Sequence, residues 1–249
     1  MGFLAITTIA WREILLYLRN KGRILATLGA PFFYLVILGF GLDAILPIQG
    51  TNYFSFLVAG IMSMVILFHS MFSSLSVVTE RQFGFLKEML VAPIRRTDIV
   101  LGKAIGNSLT ATAQAVLVLG IAFLVGFQMT QSFLNLLWML PLLFLAAIGF
   151  SGMGLAFASR IKDPQTFQFL FNFLVLPLFL LSGAVFPLES APSWLQGIVF
   201  LDPLTYLVEG LRALLLGLSQ IPFWISILGI IVFDAIMILI AALLFRKIE

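Results

Sequence analysis

The sequence predicts an all-α polytopic membrane protein with six transmembrane helices, and three observations carry that prediction. Of 249 residues, 61% are hydrophobic and 10% charged, whereas a soluble domain is roughly half apolar and a quarter charged; this chain lacks the polar surface to cover itself in water. Mean hydropathy is +1.14, and several apolar runs exceed the roughly 20 residues that cross a bilayer as a helix. The runs are apolar all round rather than alternating, which favours helices over a closed barrel. With the N-terminus in the cytoplasm and six spans, every Lys and Arg except Arg212 falls on the inner side, whereas five or seven spans scatter them over both faces.

The elements follow in order along one transmembrane domain, residues 1–249. Residues 1–23 carry Arg12, Glu13, Arg19, Lys21 and Arg23 and are too charged to span. At helical spacing Arg12, Arg19 and Arg23 share one side, and Trp11, Ile14, Leu15 and Leu18 the other. That pattern fits an amphipathic helix lying in the cytoplasmic interface; a plain lead-in to the first span is the other reading. The apolar stretch Phe3–Ala10 is short and follows no basic residue, so it does not read as a signal peptide. The six spans are 24–46, 53–78, 104–127, 133–158, 167–187 and 222–245. The connections are short except at 79–103 and 188–221.

In the linker 79–103, Phe83, Leu86 and Leu90 recur at helical spacing among Arg81, Lys87 and Glu88, and Pro93 stops the run. A helix there could dock into a groove on a soluble partner; a basic loop that only fixes topology fits equally well. On the outer side, Asp202 and Pro203 are a helix start, the acid as N-cap and proline in the first turn. The helix runs to Gly217, with Glu209 and Arg212 placed to pair. Pro192 starts a second short helix. Both are too short to cross and too apolar to lie in water, so 188–221 is expected to be a re-entrant or interfacial segment.

These two linkers resemble corresponding segments of a known family. Glu80–Pro93 (ERQFGFLKEMLVAP) is similar to the segment after the second span in ABC-2 type transporter permeases. Leu181–Leu215 is similar to the segment that follows their fifth span, with Asp202 where that family usually has Asn. The nearest subclass is the daunorubicin-resistance and multidrug type. The resemblance implies a coupling helix at 81–93 that contacts a separate ATPase subunit, with Glu80, Arg81, Phe83, Gly84, Leu86, Lys87, Glu88, Leu90 and Pro93 as its residues. It also implies a second permease copy or sister permease, a pore lined by the second and fifth spans, and a place in the cell (plasma or inner) membrane with both termini cytoplasmic. Gly183, Phe186, Pro187, Asp202, Pro203, Tyr206, Glu209 and Arg212 are then candidates for the outer gate. The partner ATPase would bind ATP and Mg. This chain needs no cofactor, and it carries no phosphate-binding loop: Gly102–Lys103 is followed by Ala104, with no upstream glycine at the required spacing.

Within the spans, Ser63, Met64, Ser70, Met71 and Ser74 with Phe169, Phe173 and Pro177 suit a cavity for a lipophilic drug, lipid or glycolipid. Asn107, Ser108, Thr110, Thr112 and Gln114 fit either a wet vestibule or hydrogen bonds to neighbouring helices. The ionisable residues His69 and Asp234 lie at similar depth. They could form an ion pair, Asp234 could be protonated or bonded to backbone, or the two could relay protons in a secondary transporter. Gly149-Phe150-Ser151-Gly152 looks like the motif of rhomboid proteases, but the sole histidine lies on the second span rather than the sixth. With no Cys and one His, no catalytic or metal site is expected, nor is nucleic-acid binding.

Overall fold

The structure, a computed structural model, describes residues 2–43, 50–85, 91, 94–188 and 192–246. Regular structure among these residues is helical. Helix α1 spans Gly2–Arg19 and α2 Lys21–Phe33. A π turn at Tyr34–Leu38 leads into α3, Gly39–Asp43. Helices α4 (Tyr53–Ser73) and α5 (Leu75–Gln82) follow each other with a bend at Ser74. Then come α6 (Arg96–Val125), α7 (Asn135–Arg160) and α8 (Pro164–Leu181). The short α9 (Ser193–Val199), α10 (Pro203–Leu216) and α11 (Phe223–Phe245) complete the chain.

Five helices are long and apolar enough to cross a membrane: α4–α5, α6, α7, α8 and α11. The predicted first span is built from α2, the π turn and α3, whose apolar part is Thr27–Asp43; residues 44–46 of that run lie outside the described residues. Pro31 has no N–H to give the helical ladder and its ring crowds the preceding turn, and the widened π turn begins just beyond it.

Helix α4 is the central post, buried on nearly every side. Around it α6, α7 and α10 pack closely, and α11 lies along α7. Glycines set the closest approaches. Gly149 and Gly152 face Asp234, Phe233 and Ile238 of α11, while Gly154 faces Met71 of α4 and Ser74 at the bend. The GFSG stretch is therefore a packing face, where backbones approach because no Cβ intervenes.

Two boundaries differ from the apolar runs. Helix α6 begins at Arg96, within the expected linker, because Arg96–Lys103 continues the helical ladder before the hydropathy rises. Helix α8 begins at Pro164, capped by Asp163, whose Oδ2 accepts from the Thr166 N–H at 2.8 Å. It stops at Leu181, before the positive φ of +73° at Gly183, well short of the expected end at residue 187.

Helix α1 packs along α6 with matching direction: Gly2 meets Asp98, Ile6 and Ile9 meet Gly102, and Ala10 and Glu13 meet Gly106. Its buried face is Ile9, Ala10, Glu13 and Tyr17, while Trp11 and Leu18 point outward. The hydroxyls of Thr7 and Thr8 donate back to the carbonyls of Phe3 and Leu4, so the outward face is compatible with lipid. The expected division into a basic and an apolar side thus omits the third face, the one that binds the bundle.

A Cβ on Gly106 would lie 2.8 Å from the Glu13 Cβ and 2.9 Å from the Ala10 carbonyl oxygen. Gly106→Val should therefore lower stability by about 1–3 kcal/mol, the usual cost of overpacking. Gly120→Ala, inside α6 where a Cβ meets nothing within 4 Å, should keep it or raise it by up to about 1 kcal/mol. Thermal unfolding in detergent reads both; equal midpoints would contradict the α1–α6 packing.

Candidate functional site

The end of the bundle where α5 stops and α6 starts carries a closed ring of charge. Lys103 Nζ lies 2.8 Å from Glu13 Oε1 and 2.9 Å from Glu80 Oε2. Arg12 Nη1 lies 2.7 Å from Glu80 Oε1 and 3.4 Å from Glu13 Oε1. Each carboxylate therefore touches both cations and the group is neutral. The Lys103–Glu13 contact is a hydrogen bond, whereas Lys103 and Glu80 pair without hydrogen-bond geometry, leaving Glu80 Oε2 with no donor. Lys103 is 0% exposed. An isolated ammonium at such a site would cost several kcal/mol in lost hydration, so its charge depends on the two carboxylates. The four residues come from α1, α5 and α6, and the ring ties those helices together.

Other contacts close the same end. Arg81 Nη1 donates to the Ser159 carbonyl at 3.3 Å, near the C-terminus of α7, where a cation also meets the negative end of the helix dipole. Arg96 Nη1 donates to the Arg246 carbonyl at 2.7 Å, joining the start of α6 to the end of α11. The linker leaves from this platform. Gly84 turns it with φ +82°, and Phe83, Phe85 and Val91 stand exposed, Phe83 at 76%. Leu86, Lys87, Glu88, Leu90 and Pro93 lie outside the described residues.

In the interior, the pairing of His69 with Asp234, one of the readings left open, does not form. His69 Nε2 lies 3.0 Å from Thr110 Oγ1, and its ring meets Tyr17 edge-on. Asp234 sits against Gly149 on α7, and neither carboxylate oxygen has a hydrogen-bond partner among the described residues. The two groups face different helices, and equal depth does not give equal azimuth. The polar run opening the third span serves helix contacts where its partners are visible: Thr110 holds His69, and Gln114 Oε1 accepts from Tyr17 Oη at 3.2 Å.

The Ser151 hydroxyl has no hydrogen-bond partner among the described residues, so it lacks the base that a serine nucleophile requires.

Of the lipophilic candidates, Met64 lines a cavity between α2, α4, α6 and α8 together with Phe68, Phe72 and Phe171. Ser63, Ser70, Met71 and Ser74 are buried. The Ser63 hydroxyl donates to Ala59, and that of Ser74 reaches toward Ser70 and Ser151. Phe169, Phe173 and Pro177 lie on the outer face of α8, away from that cavity.

At the opposite end Arg212 is the organising group. It pairs with Glu209 at 3.0 Å, as their spacing suggested. Its Nη2 donates to the Gly183 carbonyl at 2.7 Å, and its guanidinium lies 3.6 Å from the Phe56 ring centroid. Glu209 Oε2 in turn accepts from the Gln220 N–H at 2.6 Å, and Tyr53 Oη donates to Val185 at 3.0 Å. The turn after α8 is thus bolted to α4 and α10. Helix α10 is inserted among α4, α7 and α11 rather than resting on them. Asp202 Oδ1 caps it, accepting from the Leu204 N–H at 2.9 Å. Pro203 opens the helix, Tyr206 Oη donates to the Phe200 carbonyl at 2.8 Å, and Phe186 is exposed. The Pro187 backbone follows this turn, half-buried.

Sequence reasoning missed Arg12, Glu13 and Lys103 as a unit. The signal was present in Gly102 and Gly106, a small-residue face on α6 that flanks Lys103 and marks a close helix contact.

Replacing Lys103 by Met leaves the Glu13–Glu80 pair with Arg12 as its only cation. The expected loss is about 3–5 kcal/mol, as for a buried pair broken on one side, and adding Glu13→Gln should restore part of it. Thermal unfolding of the single and double variants measures this, and additive losses would contradict the ring. A second expectation concerns Asp202, whose carboxyl burial pushes up to about 7, offset in part by the Leu204 N–H. The folded protein then holds a proton that the unfolded chain releases from about pH 4 upward, so stability falls as pH rises toward 7. Asp202→Asn keeps the cap and should flatten that slope; unfolding midpoints between pH 4 and 8 would show it.

Residues 5–216 match the family model described as ABC-2 type transporter. The chain is 32% identical over 211 residues to a protein named a transport permease, ycf38, of Cyanophora paradoxa, covering 79% of this chain and 71% of that protein. It is 28% identical over 212 residues to Nodulation protein J of Rhizobium leguminosarum bv. trifolii, covering 84% and 78%. It is also 33% identical over 138 residues to YbhR of Escherichia coli, named a multidrug ABC transporter permease, covering 55% and 37%. With five helices fit to cross a bilayer and a match over most of its length, this chain is a multi-pass membrane protein and belongs to the ABC-2 type transporter family.

Proposed function

We propose that the chain is the membrane-spanning permease subunit of an ATP-binding cassette exporter, carrying a lipophilic drug, lipid or glycolipid outward. ATP, with Mg, is hydrolysed by a separate ATPase subunit that grips the linker 81–93 from the cytoplasm. Six spans, counting the α2–α3 unit as the first, place both termini on that side, in the plasma or inner membrane. A second copy or sister permease completes the pathway. The exposed phenylalanines Phe169 and Phe173 on α8 are available for that contact or for lipid.

One observation carries this reading: the charge ring lies at the base of the linker and joins it to α1 and α6. A push on the linker reaches Glu80 within one turn of Phe83, and through Lys103 it reaches two further helices. Lys103 itself is committed to carboxylates and is not free to bind phosphate. The names of the relatives support transport, and the YbhR name supports its coupling to an ATP-binding cassette. At the far end, the Arg212 contacts on the turn at Gly183 and Ala184 give a place where an outer gate would open.

Phe83 touches solvent rather than the bundle, so Phe83→Asp should leave the unfolding midpoint unchanged. It should, however, lower co-purification with the ATPase and substrate-stimulated ATP hydrolysis at least tenfold. Full coupling in that variant, with the permease intact, would contradict docking at the linker.

A further inference from the structure

The cavity between α2, α4, α6 and α8 has a volume of about 250 Å³, a little below the roughly 300–1,000 Å³ of sites that take drug-sized ligands. Met64, Phe68, Phe72 and Phe171 form its apolar walls, and Phe68 and Phe72 each meet the Phe171 ring edge-on. Among its described lining residues there is no Asp, Glu, Lys or Arg. The polar side chains are those of Thr27, His69 and Gln114. The Thr27 hydroxyl donates to the Ile24 carbonyl at 3.0 Å, and His69 holds Thr110.

Gln114 differs. It is 2% exposed, and its Oε1 is occupied by the Tyr17 hydroxyl. With Oε1 engaged by Tyr17, Nε2 donates to no described residue. A donor at the cavity wall with no protein acceptor would be satisfied by a ligand oxygen. Among the described lining residues an anion would find no fixed cation and a cation no carboxylate, so burying either there would go uncompensated.

From this geometry we infer that the cavity binds an uncharged lipophile bearing a carbonyl or ether oxygen. The oxygen accepts from Gln114 Nε2, and the apolar body packs against Phe68, Phe72 and Phe171. The size of the cavity suits a compact molecule or one segment of a longer one. As a step in export, this site rests on the permease reading above; as a binding site it does not. The serines of the second span take no part in it, since Ser63, Ser70 and Ser74 do not line the cavity.

The test uses the full chain in phosphatidylcholine nanodiscs, without any ATPase, and benzophenone as the probe. Benzophenone is an uncharged diaryl ketone that inserts into nearby C–H bonds under ultraviolet light. Saturable labelling at Met64, mapped by mass spectrometry, is the expected result. Gln114→Leu should weaken apparent affinity by roughly 2- to 12-fold, the range for one neutral hydrogen bond. Ala30→Trp, on the α2 wall, should fill the space and abolish labelling at Met64. Diphenylmethane has the same rings without the oxygen and should compete more weakly than benzophenone against the wild type, but equally in Gln114→Leu. Labelling that is unchanged in both variants, or spread over the outer faces of α8 and α11, would overturn the proposal. Unfolding midpoints check that both variants fold, and Ala30→Trp keeps the test open if Gln114→Leu does not. Because no ATPase is present, failed binding here leaves the exporter reading standing, and failed coupling at Phe83 leaves this site standing.

Discussion

A lysine ammonium with no solvent exposure, held between carboxylates from two other helices, is the contact on which the arrangement of this permease depends. The membrane interior gives helices little hydrophobic reason to associate, since lipid is as apolar as leucine. Close packing and polar pairing must supply the specificity instead. At the basic end of the bundle both are present: Gly102 and Gly106 let α1 approach α6, and Lys103 between them closes the charge ring with Glu13, Glu80 and Arg12. The ring is neutral as a whole but unbalanced if any one member is lost. It therefore fixes register more than it adds stability, because a fully apolar replacement of similar volume is often as stable.

The two ends of the molecule solve the same problem with different chemistry. The basic end uses four charged groups from three helices. The opposite end uses one guanidinium, which satisfies Glu209, the Gly183 carbonyl and the face of Phe56 at once. Arginine suits this role because its planar fork reaches several acceptors while its face stacks on an aromatic ring. Between the ends, helices meet through small residues, through hydroxyls that bond to carbonyls of their own helices, such as Ser63 and Ser108, and through neutral hydrogen bonds between helices at His69–Thr110 and Tyr17–Gln114.

Much of the helix inventory was legible because hydropathy reports burial in lipid directly. The run 222–245 and helix Phe223–Phe245 nearly coincide, and Asp202–Pro203 marked the start of α10. The same signal at Asp163–Pro164 was overlooked because the apolar run starts later. Charged helix is what hydropathy cannot see: Arg96–Lys103 reads as a loop, yet it is the first two turns of α6. Partners were harder to read than positions. Glu209 and Arg212 lie on one helix, so spacing predicted their contact. His69 and Asp234 lie on different helices, and depth without rotation could not decide whether they meet. Lys103 was counted only as one more inner cation, since its partners are far from it in sequence.

By this reading α1, the base of α4–α5 and α6 move as one body. It is tested most directly by spin-label distances in the chain assembled with the proposed ATPase subunit, with labels on the exposed positions Thr8 of α1 and Leu109 of α6. The same separation is expected in the nucleotide-free and ATP-trapped states, while the distance from either label to Phe169 on α8 changes. An α1–α6 separation that shifts between the two states would contradict it.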